Sequence, residues 1–272
     1  MAIEARNRVP SAAANGKNGH SLISNAKFRQ LYELALKLQL QAKRANGEGS
    51  NWLRGREAML AGVAADLRGD DAMVAGEIVS IAGALNAPIP FGTDKRSFEE
   101  RVIAALSNAV VDRMRKTGRV GVIFFNGARG AEILKEARAL AIAARLPVLF
   151  VEDVVPVRRS TKKKRAATIE YPMIPVDTRD VIAMYRVAHE SIARAREGSG
   201  PTHIVGVEWR PVASGRKGTT KIGREDPVEH LEHWLIARGL PAQQWRREIV
   251  AEFATQGGSL SKDESAETRA IA

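Results

Sequence analysis

The sequence predicts an α/β fold in which a mostly parallel sheet is covered by helices on both faces, behind a helical N-terminal layer. Residues 27–116 keep a helical apolar period, whereas from Arg119 onward unbroken apolar runs alternate with helix-length segments. An unbroken apolar run suits a strand buried on both faces. Strands separated by helices need crossover connections, which make the sheet parallel.

Taken in order, residues 1–26 are small, polar and without apolar period, and the reading is a disordered arm. Phe28, Leu31, Ala35, Leu38 and Ala42 then follow a helical spacing that Leu34 widens. Arg56 to Leu67 forms an alanine-rich second helix, stopped by Arg68-Gly69. Residues 70–96 allow a short helix followed by a loop set by Pro88, Pro90 and Gly92. Ser97 caps a third helix, with Glu99 and Glu100 in its first turn and Arg113, Arg115 and Lys116 in its last.

Val120–Phe125 is the first strand, Asn126–Gly130 a turn and Ala131–Ala144 a helix. Pro147–Val151 is a second strand and Met173–Val176 a short third. A helix opened by Asp177, with Asp180 three residues on as in a capping box, ends at Gly198. His203–Trp209 supplies a further strand, and helices over Pro227–Arg238 and Pro241–Phe253 close a single domain of residues 27–255. Residues 256–272 are expected to be a flexible tail.

Composition excludes several chemistries. The 272 residues contain no cysteine, which removes disulfides, thiolate metal sites and cysteine nucleophiles. No apolar run approaches the ~20 residues of a membrane span, and residues 1–26 lack the apolar stretch of a secretory signal, so a cytoplasmic protein is expected. Lys and Arg total 42 against 31 Asp and Glu, a formal charge of +11. Six cations lie within Arg158–Arg165, and Arg210, Arg216, Lys217, Lys221 and Arg224 form a second cluster. Such runs can neutralise nucleic-acid phosphates or serve as solvated loops facing an acidic partner. The basic run holds no aromatic residue on which bases could stack, so nucleic acid is not the expected partner.

Ligands of open parallel sheets bind beyond the carboxyl ends of the strands. One such end is Asn126-Gly127, leading into a helix N-terminus, where free N–H groups favour anions. The other is Glu152-Asp153. Were these strands neighbours, a phosphate over Gly127–Gly130 would lie near a carboxylate able to hold a hard cation. On spacing alone, such a glycine turn is more often only a turn. His230 and His233 share a helical spacing, but no third metal ligand accompanies them.

The order of segments resembles the alpha subunit of the thiamine-diphosphate-dependent 2-oxo acid dehydrogenases of the pyruvate, acetoin and branched-chain type. Phe28-Arg-Gln-Leu-Tyr-Glu-Leu is similar to that family's opening helix, and Gly55-Arg-Glu-Ala58 to its Gly-Gln-Glu-Ala helix. Val122–Ala128 and Leu146–Glu152 resemble the strands flanking the cofactor diphosphate. Val176–Tyr185, Gly200–Arg210 and Asp226–Leu240 resemble the later helix, strand and close. The resemblance implies thiamine diphosphate and Mg²⁺ as cofactors. It also implies a beta-type subunit as partner in a heterotetramer, and a lipoyl acyltransferase as acceptor of the acyl group left by decarboxylation. The residues it assigns to the cofactor are Asn126, Gly127, Ala128, Arg129 and Asp153, with Asn126 and Asp153 as the metal candidates; no catalytic residue is assigned.

Departures fall on the metal motif. The family begins it Gly-Asp-Gly and ends it Asn-Asn. Here Asn126-Gly127 follows Phe125, and the second part reads Asp153-Val154, whose valine coordinates nothing. The family's Arg-x-His-Gly and Gly-His-Ser/Thr histidines are also missing, since no histidine lies between His20 and His189 or within Pro211–Gly218. The expectation is a divergent alpha subunit whose unaided catalysis is in doubt, the alternative being a non-catalytic scaffold or regulatory subunit of the same fold.

Overall fold

The computed structural model describes residues 23–44, 55–75, 96–126, 131–153, 172–207 and 226–269. The elements in chain order are α1 (Asn25–Arg44), α2 (Glu57–Ala64), β1 (Ala72–Ala75), α3 (Phe98–Arg115), β2 (Gly121–Asn126) and α4 (Ala131–Ala143). They continue with β3 (Val148–Asp153), β4 (Met173–Asp177), α5 (Val181–Arg196), β5 (Thr202–Val207), α6 (Pro227–Ala237) and α7 (Ala242–Arg269). Among the described residues five strands form one sheet, ordered β1-β2-β3-β5-β4, and every pairing between them is parallel. The predicted α/β class and parallel sheet are what the chain adopts.

Strand alternation divides the core in two. Val122, Phe124, Leu149, Val151 and Ile204 face α1, α2, α5, α6 and α7. Ile123, Phe125, Val148 and Phe150 face α3 and α4. The helices linking β1 to β2 and β2 to β3 cover the second face, while α5, linking β4 back to β5, covers the first. Reversing the direction of strand progression moves the crossover to the other face when every crossover is right-handed. The crevice of such a sheet therefore opens around β3.

Helix ends follow the predicted chemistry in two places. Ser97 and Glu100 form a reciprocal capping box on α3. Asp226 caps α6 by accepting from the amides of Val228 and Glu229, with Pro227 in the first turn. Gly62 is fixed by packing, since a Cβ there would stand 2.7 Å from Met184 Cγ and 2.9 Å from the Tyr185 amide nitrogen. Helices α2 and α5 approach so closely that only glycine fits.

Three expectations need correction. Residues 72–75 are an edge strand inside the stretch predicted as helix or loop; four residues are too short to display a period, and pairing with β2 decides their conformation. The cap of α5 is Asp180, which accepts from the Ala183 amide, whereas Asp177 ends β4 and turns inward on Arg179. Helix α7 continues to Arg269, well beyond Phe253, through a stretch with no proline to break it. Among the described residues Ile23 is buried and α1 begins at Asn25.

Residues 1–22, the Pro88–Gly92 loop, Gly127–Gly130, and both basic clusters at Arg158–Arg165 and Arg210–Arg224 lie outside the described residues. Among the described residues, no helix is long and apolar enough to cross a membrane.

Candidate functional site

The predicted convergence of two strand tips is present. β2 and β3 are adjacent, and their last residues, Asn126 and Asp153, are partners in register. Both carry the parity of Phe124 and Val151, so they belong to the face covered by α2. On the far side of β3, Asp153 pairs with Gly206 of β5. A Cβ at Gly206 would fall 2.7 Å from Thr178 Cγ2, 3.0 Å from Met59 Sδ and 3.2 Å from the Glu152 carbonyl oxygen. The missing side chain lets the start of α2 settle against the strand ends.

That contact delivers a residue the sequence reading did not assign. Arg56, the residue before α2, donates from Nε to Asp153 Oδ2 at 2.5 Å, with each side chain 18% exposed. The carboxylate expected to receive a cation already has one. A second acid, Glu57, is 3% exposed in the first turn of the same helix, where negative charge suits the helix dipole. Across the sheet, Glu152 points to the opposite face and lies 2.9 Å from His203 Nε2, whose ring is fully buried between Phe125 and Phe150. No sequence spacing links Arg56 with Asp153 or Glu152 with His203; the seating of α2 against Gly206 brings the first pair together and the pairing of β3 with β5 the second.

The described residues do not fit a magnesium site. Mg²⁺ takes hard oxygen ligands, usually one or two carboxylates together with phosphate. Asp153 is ion-paired to Arg56, and its successor in sequence is a valine. Among the described residues, no group of three or more His, Asp or Glu side chains could hold a metal ion. Asn126 stands beside Asp153 as predicted, while Gly127, Ala128 and Arg129 are not among the described residues.

A cavity of about 710 Å³ lies at the other end of the sheet, between the C-terminal ends of α3, α4 and α5, lined in part by Arg113, Lys116, Arg119 and Arg196. Its basic lining has a structural purpose. Arg113 donates to the carbonyls of Arg145 and Gly198, just past α4 and α5, and Arg196 donates to the carbonyl of Gly118. Helix C-termini expose carbonyls that cations satisfy, so these guanidinium groups stabilise helix ends.

Comparison with known proteins agrees with the geometry. The model of the dehydrogenase E1 component family matches residues 54–212, a span that contains all five strands, Arg56 and Asp153. The alpha subunit of acetoin:2,6-dichlorophenolindophenol oxidoreductase from Bacillus subtilis is 33% identical over 141 residues, covering 47% of this chain and 42% of that protein. The alpha subunit of the pyruvate dehydrogenase E1 component from Mycoplasma pneumoniae is 31% identical over 99 residues, 33% of this chain and 28% of that one. The 3-methyl-2-oxobutanoate dehydrogenase alpha subunit of Mycobacterium tuberculosis is 29% identical over 184 residues, 60% and 48% respectively. The chain spans less than half the length of these curated relatives.

Proposed function

The chain belongs to the family of dehydrogenase E1 components, and from that membership we propose that it acts as a divergent alpha subunit of a thiamine-diphosphate-dependent 2-oxo acid dehydrogenase, paired with a beta-type subunit in the cytoplasm. The observation that carries the proposal is the in-register pair Asn126 and Asp153 at the crevice around β3, within the stretch that matches the family. Thiamine diphosphate would supply the carbanion chemistry of decarboxylation. This chain's part would be positional: the tips of β2 and β3, at Asn126 and Asp153, would hold the diphosphate end, and the acyl group would be handed to a lipoyl carrier.

A second reading is favoured by the Arg56–Asp153 ion pair, which closes the position expected of the metal ligand. In that reading the chain is a scaffold or regulatory subunit with the family fold and no turnover of its own.

Co-expression with a beta-type subunit of this enzyme class separates the two. The first reading expects a stable complex that releases CO₂ from a 2-oxo acid when thiamine diphosphate is added. A complex with no decarboxylation of pyruvate, acetoin-type or branched-chain substrates selects the scaffold. Failure to form any complex sinks both.

A further inference from the structure

We propose that Arg56 takes the place of a divalent cation at the carboxyl ends of the strands, so that this chain binds a diphosphate group without metal. The identity of the ligand as a diphosphate rests on the function proposed above; the replacement of metal by guanidinium rests on the geometry.

Asn126, Asp153 and the start of α2 share one face of the sheet, at the tips of two adjacent strands. A divalent ion placed there would need the Asp153 carboxylate, and Arg56 holds that carboxylate at 2.5 Å. The ion would have to displace the guanidinium or sit against its charge. The resemblance to Gly-Gln-Glu-Ala puts a neutral glutamine where Gly55-Arg56-Glu57-Ala58 has arginine. A cation therefore stands on the face that carries Asn126 and Asp153.

A guanidinium suits the exchange. It is planar, permanently charged and weakly hydrated, and its fork of five N–H donors matches both carboxylate and phosphate oxygens. Asp153 occupies part of that fork and competes with phosphate for it, while the metal's role falls to Arg56. Glu152, the next acid along β3, points to the opposite face toward His203 and does not compete.

The test is calorimetric titration of the full-length chain with inorganic pyrophosphate and with thiamine diphosphate, once in EDTA and once in Mg²⁺. The expected affinities in the two media agree within about twofold, because no metal participates. Arg56→Gln weakens binding about tenfold or more in both media, the loss of one charge-assisted contact. Arg56→Lys retains part of the affinity, which separates loss of charge from loss of fold. Asp153→Asn tightens binding severalfold, since the carboxylate that competes with phosphate for the guanidinium is gone.

A metal site predicts the reverse for Asp153→Asn. Binding that requires Mg²⁺ and disappears in that variant overturns the inference and leaves the proposed function standing. Absence of heat with both ligands in both media overturns the inference together with the cofactor-holding part of that function.

Discussion

Each end of the sheet carries an aspartate–arginine pair, and the surroundings give the two pairs different work. At the amino ends of the strands, Asp71 is fully buried and accepts four hydrogen bonds, from the amides of Arg68 and Val120 and from two nitrogens of Arg196. Arg196 also donates to the carbonyls of Gly118 and Asp66. This pair locks the corner after α2, the start of β2 and the end of α5 to one another. At the carboxyl ends, Asp153 is partly exposed, and Arg56 is its hydrogen-bonding partner among the described residues. A carboxylate saturated by two backbone amides and a bidentate guanidinium can accept nothing more and belongs to the architecture. One that accepts from a side chain at the strand tips, with no backbone amide donating to it among the described residues, retains oxygen lone pairs. Helix α2 links the two, with Arg56 before its first turn and Asp71 a few residues past its last.

The largest effect should come from breaking the saturated pair. Removing one partner of a buried ion pair costs about 3–5 kcal/mol, because the other charge is left uncompensated. Asp71→Asn is therefore expected to lower stability by about 3 kcal/mol, read as a lower urea midpoint with unchanged slope. A loss under about 1 kcal/mol would mean that Asp71 is dispensable and that the contrast between the two ends is false.

Acid titration sharpens the same contrast with a smaller effect. Asp66, near the amino ends of the strands, lies 2.9 Å from Lys27 Nζ and is bonded to His189 Nδ1. Burial pushes its carboxyl upward, but the hydrogen bonds and charges of Lys27 and His189 outweigh that and hold it below the ordinary carboxylate range. Neighbouring Tyr185 is pushed up to about 12, by burial first and then by the charge of Asp66. A carboxyl depressed in the folded state contributes stability above its unfolded value, near pH 4, and loses it as pH falls through the folded value. Thermal midpoints measured downward from pH 5 should therefore fall more steeply for the unmodified chain than for Asp66→Asn. Parallel curves would show that this carboxylate adds nothing to the amino-end cluster.

Much of this fold was legible because its signals are local. Val122-Ile-Phe-Phe125 is apolar on both faces and became a central strand; Ser97 with Glu100, and Asp226 with Pro227, announced helix starts by chemistry contained in four residues. The neighbouring tips Asn126 and Asp153 were also legible, because parallel strands joined by one helix ordinarily lie side by side. What escaped was non-local or too short. Ala72–Ala75 shows no period until β2 pairs with it. Arg56 and Asp153 are separated by 97 positions, and their meeting depends on a glycine at 206 that admits Met59. The spacing predicts that Asp177 opens α5 with Asp180 three residues on, but Asp180 is the cap because Asp177 is the last residue of β4 and accepts from the Arg179 amide and guanidinium.

The smallest effect belongs to the carboxyl-end pair. Arg56 and Asp153 keep enough contact with water for solvent to screen them, and pairs of that kind contribute about 0–1 kcal/mol. Arg56→Gln and Asp153→Asn, singly and together, form a double-mutant cycle whose coupling in urea unfolding should stay below about 1 kcal/mol. The same cycle on Asp71 and Arg196 should give a coupling severalfold larger. If the carboxyl-end pair proves the stronger, Arg56 is bound too firmly to its aspartate to be released toward a phosphate. The ion pair would then be a structural clasp, and the crevice around β3 would be closed by it.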